Sequence, residues 1–418
     1  MGIRGPRESR PVSQRARRPG RLRRLPRFMK QDFLDTFHVV DAALSNFDPL
    51  RRAPSEGLQV LDLFSGCGGM SLGFRAYADA FGGIGKFSGV DIFRQAVETY
   101  RINLGNASLG DVRKIAQARD IEGELGVLCD YDPRTPTILI GCPPCQGFSA
   151  HTRTRGGPDD DRNSLILDFA RIALALKPIA IVIENVPEML AGRYRAYWEC
   201  FEAELLEGGY HFTADIHNLA VFGVPQKRNR ALCFALKGPS HPLPAIYDRW
   251  NFRNVRDAIG DLPAIVAGER CSTDPMHRTV RHRLSTLEVI NQVPFNGGSR
   301  PPGVGPKCLD RVSGFYDVYG RLAWNRPSIT ITRYSRSPAS GRFTHPEQTR
   351  GLSAREVARI QTFPDRFTFS GSLDDVYRQI GEAVPPRAAV AVATWIMLHL
   401  RLQQPQLGPL ATRSRSKG

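Results

Sequence analysis

Apolar runs of two kinds alternate along the first 240 residues of the chain. Short continuous apolar runs predict buried strands, and longer segments with apolar residues three and four positions apart predict helices. The predicted strands are 58–63, 87–90, 138–140, 179–183 and 231–236, and the predicted helices are 31–46, 70–80, 93–103 and 165–176. Strands that alternate with helices favour an α/β fold, in which helices cover both faces of a mostly parallel sheet.

The pattern becomes irregular beyond residue 240. Proline, glycine and arginine interrupt the short apolar runs, which predicts a smaller, irregular domain over residues 241–375. Within it, residues 328–334 alternate like a strand. Ser353 and Glu356 have the spacing of a capping box and predict that a helix begins there.

The longest apolar run covers residues 388–400. It is too short to cross a bilayer, for which about 20 residues are needed. Pro385 and Pro386 precede it, and proline is favoured in the first turn of a helix. The run therefore predicts a buried helix, and no interaction with a membrane is expected.

The net charge of +16 is unevenly distributed. Residues 1–30 hold eleven basic residues and one acidic residue, and residues 241–350 hold sixteen basic and nine acidic ones. This excess predicts a polyanionic partner, most simply nucleic acid; a solubilising surface is the alternative for the second segment. Residues 1–30 are expected to form a disordered arm that tethers DNA, although their composition also resembles a transit peptide, and translation from Met29 is a third alternative.

Cys145 is the candidate nucleophile. It lies in the sequence Gly-Cys-Pro-Pro-Cys-Gln-Gly-Phe-Ser (141–149), just after the predicted strand 138–140, where α/β enzymes hold their catalytic groups. Cysteine is the most nucleophilic side chain available. The alternative is that Cys142 and Cys145 form a redox pair or half of a zinc site. The other six cysteines are scattered, and no hydrophobic signal core is present, which favours a reducing, cytoplasmic setting.

A glycine-rich turn joins the first predicted strand to the helix that follows. It reads Asp-Leu-Phe-Ser-Gly-Cys-Gly-Gly over residues 62–69, and such turns let a ligand approach backbone N–H groups closely. Asp91 follows the next strand, where a carboxylate can accept from both hydroxyls of a ribose, or can cap the following helix. Asp111 repeats the pattern and is placed to accept from an adenine amino group.

Two further motifs place charged groups at strand ends. Glu184 follows the strand 179–183, where partial desolvation lets a carboxylate share a proton with a ring nitrogen; a salt-bridged or capping carboxylate is the alternative. Arg228 and Arg230 alternate at the start of the strand 231–236. Residues spaced in this way can face a phosphate and a base carbonyl from one edge.

Together these segments closely resemble the DNA (cytosine-5)-methyltransferase family, from Asp62 to about Ala389. Six blocks carry the resemblance in order: 62–69, Pro144-Cys145-Gln146, Glu184-Asn185-Val186, 226–230, 350–367 and 381–386. The last block usually reads Gly-Asn-Ala-Val, and here Glu382 replaces the asparagine.

The resemblance implies a Rossmann-like methyltransferase domain over residues 31–240, completed by 376–403. It also implies a target-recognition domain over 241–375 and a disordered tail over 404–418. S-adenosylmethionine is the implied methyl donor, with no metal. The implied cofactor-binding residues are Asp62, Phe64, Ser65, Gly66, Gly68, Gly69, Asp91, Ile92, Asp111, Val112, Pro143, Leu165, Glu382 and Ala383. Glu382 is expected to meet the ammonium group of the cofactor.

The resemblance also implies roles at the target base. Cys145 would add to ring carbon 6 of a cytosine flipped out of double-stranded DNA, and Glu184 would engage the amino group and ring nitrogen 3. Arg230 would contact the base carbonyl, and Arg228 a backbone phosphate. The polar loop that contains Gln146, Ser149, Arg155, Gly156, Gly157 and 159–161 is expected to close over the site.

The implied enzyme is of the bacterial type, associated with the nucleoid and active as a monomer, with a cognate restriction endonuclease as a possible partner. Methylation of RNA is the alternative within the enzyme class, because a related branch of the family acts on transfer RNA. A catalytically silent DNA-binding homologue is the alternative outside it. The long basic segment favours duplex DNA, and the presence of Cys145, Glu184 and Arg230 favours an active enzyme.

Overall fold

The computed structural model describes residues 27–51, 56–144, 164–191, 195–311 and 317–403. The predicted nucleophile Cys145, the polar loop after it, most of the basic arm and the tail 404–418 lie outside the described residues.

The described residues form seven strands and thirteen α-helices. The strands are β1 (Leu58–Leu63), β2 (Ile84–Asp91), β3 (Asn106–Leu109), β4 (Thr137–Gly141), β5 (Ala180–Asn185), β6 (His211–Asn218) and β7 (Asn229–Leu236). The helices are α1 (Arg27–Ser45), α2 (Gly69–Phe81), α3 (Arg94–Leu104), α4 (Val112–Gln117), α5 (Ile121–Cys129), α6 (Leu165–Leu176), α7 (Arg195–Glu207), α8 (Val255–Ile259), α9 (Leu284–Asn291), α10 (Cys308–Arg311), α11 (Ala354–Ile360), α12 (Leu373–Glu382) and α13 (Pro386–Gln403).

The strands form one sheet in the order β3-β2-β1-β4-β5-β7-β6. Strands β1 to β5 pair in parallel, whereas β7 runs antiparallel to both β5 and β6. The start of β7 therefore lies at the edge of the sheet where the parallel strands end. The predicted α/β class with a mostly parallel sheet is confirmed.

Helices cover both faces of the sheet, because successive strand residues point to opposite faces. In β1, Val60 packs into a core with α1, α2 and α13, whereas Leu61 packs into a second core with α4 to α7. Parallel strands buried on both faces need continuous apolar runs, which is why β1 and β4 were recognisable from sequence.

Residues 241–375 do not pack apart from this sheet. Val255, Trp324 and Val357 belong to the same hydrophobic cluster as β1 and α13. Among the described residues of 241–375, only a small cluster around Val289, Ile290, Val293, Val318 and Tyr319 stands outside it. The domain boundary at residue 241 stays a prediction.

Three local predictions have clear outcomes. The helix at Ser353 begins with the full capping box, in which Ser353 Oγ accepts from the Glu356 N–H and the Glu356 carboxylate accepts from the Ser353 N–H. The first helix begins at Arg27 rather than at residue 31. The strand predicted over 328–334 is wrong: Ser328 makes one isolated bridge to Gln226, and the chain then enters turns.

The alternation in the sequence of that segment does not correspond to alternating burial. Ser328 and Ile331 are buried, Ile329 and Thr330 between them are partly buried, and both isoleucines pack in or against the main hydrophobic cluster. A pattern of polar and apolar residues does not by itself report hydrogen-bonding partners.

One helical stretch in the described ranges, Leu373–Gln403, is long and apolar enough to cross a membrane, and 89% of its apolar window is buried inside the protein. It contains α13, which begins at Pro386 as predicted and lies between α1 and α2 in the core. Edge-to-face packing of Phe33 in α1 on Trp395 in α13, with ring centroids 5.4 Å apart, fixes one side of this contact.

Gly73 sets the distance between α2 and α13. A Cβ atom at this position would lie 2.3 Å from the backbone carbon of Ala389. We expect Gly73→Ala to lower the free energy of unfolding by about 3 kcal/mol, because neither helix backbone can yield without moving the core. Gly126→Ala is the matched control: its Cβ meets only ordinary contact at 3.5 Å, and alanine in helix α5 should stabilise by about 0.5 kcal/mol. Urea denaturation of both variants measures the difference, and equal stability would contradict it.

Candidate active site

Most of the described residues that are predicted for catalysis and cofactor binding lie at one edge of the sheet. The parallel strands end there at Leu63, Asp91, Gly141 and Asn185, and antiparallel β7 begins there at Asn229. Clefts outside the carboxyl ends of parallel strands are where α/β folds bind their ligands.

Glu184 and Arg230 form a nearly buried ion pair at this edge. Because β5 and β7 are antiparallel with Glu184 opposite Leu232, Arg230 reaches the Glu184 carboxylate, and Arg230 Nε lies 2.9 Å from Glu184 Oε1. The Glu184 side chain is 9% exposed and the Arg230 side chain is 16% exposed. The geometry of this contact does not meet that of a hydrogen bond, and among the described residues the buried Oε1 atom of Glu184 has no hydrogen-bond donor. A ligand that brings a donor to this oxygen would complete its shell.

Asn185 connects this pair to the segment that leads to Cys145. Its side-chain amide donates to the Pro143 carbonyl at 3.1 Å, and its Oδ1 accepts from the Val186 N–H at 2.8 Å. Pro143 and Asn185 are both buried. The described residues of this segment end at Pro144, one residue before Cys145.

The glycine-rich turn after β1 is built from left-handed residues. Phe64, Gly66 and Gly68 have φ values of 60°, 51° and 89°, and the tight turn brings the Gly66 N–H to 2.8 Å from Asp91 Oδ2. The space beside the Gly66 Cα is open. By contrast, a Cβ at Gly69 would lie 2.3 Å from the Val384 carbonyl oxygen, so the turn is pressed against the final predicted cofactor block.

Asp62 is a buried acid beneath this turn. It is 1% exposed, and its Oδ2 accepts from the Ser71 hydroxyl at 2.6 Å; Ser71 in turn accepts from the Tyr100 hydroxyl at 2.9 Å. Burial raises the pKa of Asp62 to about 8, against the opposing hydrogen bond from Ser71. Asp62 Oδ1 and the Ser65 hydroxyl are buried and have no hydrogen-bond partner in the part of the chain that the structure describes, and a bound ligand could satisfy both.

Asp91 accepts from two backbone N–H groups, that of Gly66 on Oδ2 and that of Phe93 on Oδ1 at 2.8 Å. Burial raises the pKa of this carboxyl, and the two N–H bonds lower it. Each oxygen keeps a second lone pair for a hydroxyl. Next to it, Ile92 is 74% exposed, an unusual position for a large apolar side chain beside a cleft.

For the remaining predicted cofactor residues, the structure gives the position and burial but no contact that points to a ligand. Asp111 caps α4 by accepting from the Arg113 N–H at 3.0 Å, and Val112 is buried. Leu165 is buried at the start of α6. Ala383 is 8% exposed. Whether these residues contact a cofactor stays a prediction.

Arg228 does not have the predicted phosphate contact. It is 3% exposed, and its guanidinium donates to the Ile331 carbonyl at 2.8 Å and to the Ala383 carbonyl at 3.3 Å. A side chain so covered cannot reach a DNA phosphate. Its exposed neighbours Lys227 and Asn229 point outward instead. Segments distant in sequence cover Arg228, and no local pattern could reveal that.

We expect Arg228→Met to lower the free energy of unfolding by about 1–3 kcal/mol, because the buried Ile331 carbonyl loses the Arg228 donor and the Ala383 carbonyl keeps only that of Gln361, while the aliphatic volume is kept. Lys227→Met changes the adjacent exposed residue and should shift stability by less than about 0.5 kcal/mol. Chemical denaturation compares the two. If Arg228→Met were as stable as the parent and lost only DNA affinity, the predicted phosphate role would be restored.

Glu382 is exposed and pairs with two arginines that sequence reasoning missed. Its carboxylate lies 3.2 Å from Arg333 Nη1 and 3.1 Å from Arg378 Nε. Only the second pair was detectable in the sequence, as a spacing of four residues on one helix.

Comparison with known proteins decides the family. The model of the C-5 cytosine-specific DNA methylase family matches residues 58–397. The chain belongs to this family. It is therefore a DNA (cytosine-5)-methyltransferase, an enzyme that methylates cytosine in DNA.

The sequences of two type II enzymes align with this DNA (cytosine-5)-methyltransferase over most of their length. The chain is 34% identical to the type II methylase M.HgiDII of Herpetosiphon aurantiacus over 78% of this chain and 91% of the relative. It is also 34% identical to the type II methyltransferase M1.HphI of Haemophilus parahaemolyticus, over 81% and 87%.

Two solved structures share the fold. A protein assigned as a DNA modification methyltransferase of an Escherichia coli prophage has a TM-score of 0.63 at 24% identity, and the match covers 82% of this chain and all of that one. The Dnmt2 methyltransferase of S. pombe has a TM-score of 0.55 at 20% identity, over 83% and 99%.

Proposed function

We propose that this DNA (cytosine-5)-methyltransferase transfers a methyl group from S-adenosylmethionine to carbon 5 of a cytosine flipped out of double-stranded DNA, through a transient bond between Cys145 and ring carbon 6. One observation carries the proposal. Among the described residues, the Glu184 and Arg230 pair has a buried carboxylate oxygen without a hydrogen-bond donor, and Asn185, the next residue of β5, holds the Pro143 carbonyl. A cytosine amino group would supply the missing donor, with Cys145 two residues beyond Pro143.

The proposed chemistry needs the aromatic ring to be activated. The Cys145 thiolate adds to carbon 6, and the electron pair of the carbon 5–carbon 6 double bond moves into the ring. Glu184, which takes up a proton from solvent as the base binds, passes it to ring nitrogen 3 and neutralises that charge, so carbon 5 becomes nucleophilic. Arg230 holds the Glu184 carboxylate and faces the base carbonyl. After carbon 5 is methylated, a water molecule accepts its proton, the electron pair of that C–H bond restores the carbon 5–carbon 6 double bond, and the carbon–sulfur bond breaks to release the thiolate of Cys145. Ring nitrogen 3 then returns its proton to Glu184.

The cleft fits the cofactor at several points. Asp62 Oδ1 and the Ser65 hydroxyl are buried without partners, the space above Gly66 is open, and exposed Ile92 offers an apolar surface for a flat ring. Asp91 would accept from ribose hydroxyls. When bound, S-adenosylmethionine supplies an electrophilic methyl group on a positively charged sulfur. The described residues contain no cluster of three or more His, Cys, Asp or Glu side chains that could hold a metal ion.

We propose that DNA lies across the same edge. Extrusion of the base costs a few kcal/mol, which phosphate contacts can offset. Exposed Lys227 beside Arg230 is the phosphate contact that replaces Arg228. The exposed basic residues of the 241–350 segment that could supply others are Arg249, Arg253, Arg256, Arg270, Arg281, Arg283, Lys307, Arg311, Arg326 and Arg336.

Not all basic residues of that segment face outward. Arg321 is fully buried and donates to the backbone carbonyls of Ile290, Val293, His345 and Gln348. Arg350 is 1% exposed and pairs with Glu356 at 2.7 Å. These two arginines hold the irregular segment together, so its net charge overstates the charge available to DNA.

The experiment begins with bisulfite sequencing of DNA from cells that express the protein, which yields the target site. A duplex with 5-fluorocytosine at that site is then incubated with protein and S-adenosylmethionine. Fluorine cannot leave as the carbon 5 proton does, so we expect a covalent complex that survives denaturing electrophoresis. Methylation of ordinary DNA without any trapped complex would overturn the covalent route, and methylation of RNA alone would overturn the substrate. We further propose that the enzyme acts as a monomer in the bacterial nucleoid, beside a cognate restriction endonuclease.

A further inference from the structure

The carboxylate of Glu382 bridges two arginines from different parts of the chain. Arg378 lies one turn earlier in α12, whereas Arg333 comes from the turns after Ser328. The two backbones are in close contact there, since a Cβ at Gly381 would lie 2.2 Å from the Arg333 backbone nitrogen. Glu382 therefore joins two segments already pressed together at the final cofactor block.

The bridge continues to the cofactor side of the cleft. The guanidinium carbon of Arg378 lies 4.0 Å from the centre of the Phe93 ring. The Phe93 N–H donates to Asp91 Oδ1 at 2.8 Å. Glu382 and Arg378 both affect the ionisation of Asp91: the charge of Glu382 raises the pKa of Asp91, and the charge of Arg378 lowers it. Arg333, Glu382, Arg378 and Phe93 thus form a connected series that ends at the acid proposed to bind ribose.

Local helix energetics do not explain an acid at this position. Glu382 is the last residue of α12, where the negative end of the helix dipole disfavours a carboxylate. An arginine four residues before a glutamate is also the less favourable order for a helical pair. The contact of Glu382 with Arg333, and that of Arg378 with Phe93, give a reason for an acid at this position that the isolated helix does not.

We propose that Glu382 is a positioning residue for the cofactor: its bridge between Arg333 and Arg378 holds the Arg378 guanidinium on Phe93 and so fixes the Asp91 side of the cleft. The proposal rests on the proposed cofactor site. It differs from the expectation that Glu382 meets the cofactor's ammonium group directly, which stays a prediction.

The test is cofactor binding by isothermal titration calorimetry with S-adenosylhomocysteine, on the full chain without DNA. Glu382→Gln keeps the shape and removes the charge, and we expect about fivefold weaker binding, with kcat at saturating cofactor within twofold and KM for the cofactor raised. Arg378→Lys keeps the charge but loses the flat group over Phe93, and it should weaken binding similarly. The double variant should be no weaker than either single one.

Asp374→Asn is the matched control. Arg336 pairs with Asp374 at 2.6 Å, which links the same two segments at the opposite end of α12. This variant should leave cofactor affinity unchanged. Unchanged affinity in Glu382→Gln, or an equal loss in Asp374→Asn, would overturn the positioning role alone. Absence of binding by the unaltered protein would overturn the cofactor site as well.

Discussion

Cys145→Ser is expected to abolish methyl transfer, lowering the single-turnover rate by about 10⁴-fold or more. The hydroxyl of serine is a far weaker nucleophile than a thiolate at neutral pH, and without addition at carbon 6 the ring keeps its aromaticity. Binding of duplex DNA depends on phosphate and groove contacts, so the dissociation constant should stay within about threefold. Transfer of tritiated methyl groups measures the rate, and fluorescence anisotropy with labelled duplex measures the affinity.

Cys200→Ser controls for loss of a thiol as such. Cys200 is exposed on α7, away from the catalytic edge, and its variant should methylate DNA like the parent. Trapping on 5-fluorocytosine DNA should occur with Cys200→Ser and should be absent with Cys145→Ser. Parent-like activity of the Cys145 variant would remove the nucleophile assignment and with it the covalent mechanism.

Glu184→Gln is expected to lower kcat by about 10²- to 10⁴-fold, the range for loss of a positioned proton donor. Glutamine fits the same space and can still accept a hydrogen bond from the base, but it cannot deliver a proton to ring nitrogen 3. Formation of the covalent complex should slow in parallel, because the charge that enters the ring on thiolate addition would have no neutralising group. Single-turnover kinetics at saturating DNA isolates this step from binding.

The control for this variant is Glu188→Gln, which changes an exposed carboxylate in the 3₁₀ turn four residues later and should leave kcat unchanged. Arg230→Met tests the other half of the ion pair. If Glu184 and Arg230 act as one unit, the double variant should lose far less than the product of the two single losses. Independent, multiplicative losses would show that Arg230 does not act through the Glu184 carboxylate.

Much of the fold was predictable because buried parallel strands need continuous apolar runs, and β1 and α6 have the predicted bounds. The direction of β7 was not predictable, since periodicity gives the faces of a strand but not its orientation. That direction is what brings Arg230 to Glu184. Sequence motifs placed both residues at the site, and only the antiparallel register of β5 and β7 explains their contact.

The errors share a physical cause. Arg228 was expected at the DNA because it alternates with Arg230, yet Ile331 and Ala383, more than a hundred residues later, cover it. The strand predicted over 328–334 failed because the main hydrophobic cluster and backbone contacts with residues 225–227 hold the segment, and among the described residues no ladder continues beyond Ser328. In both cases the deciding contact joins segments far apart in the chain, which local propensity cannot report.

The catalytic edge is assembled from residues made early and late in translation. Gly69 and Gly73 of α2 can approach their neighbours only when Val384 and Ala389 are present to pack against them. A nascent chain therefore exposes its cofactor turn long before the helix that seats it leaves the ribosome. Methylation competence should appear only after α13 has emerged, so a premature stop before Pro386 would leave a sheet without a working site.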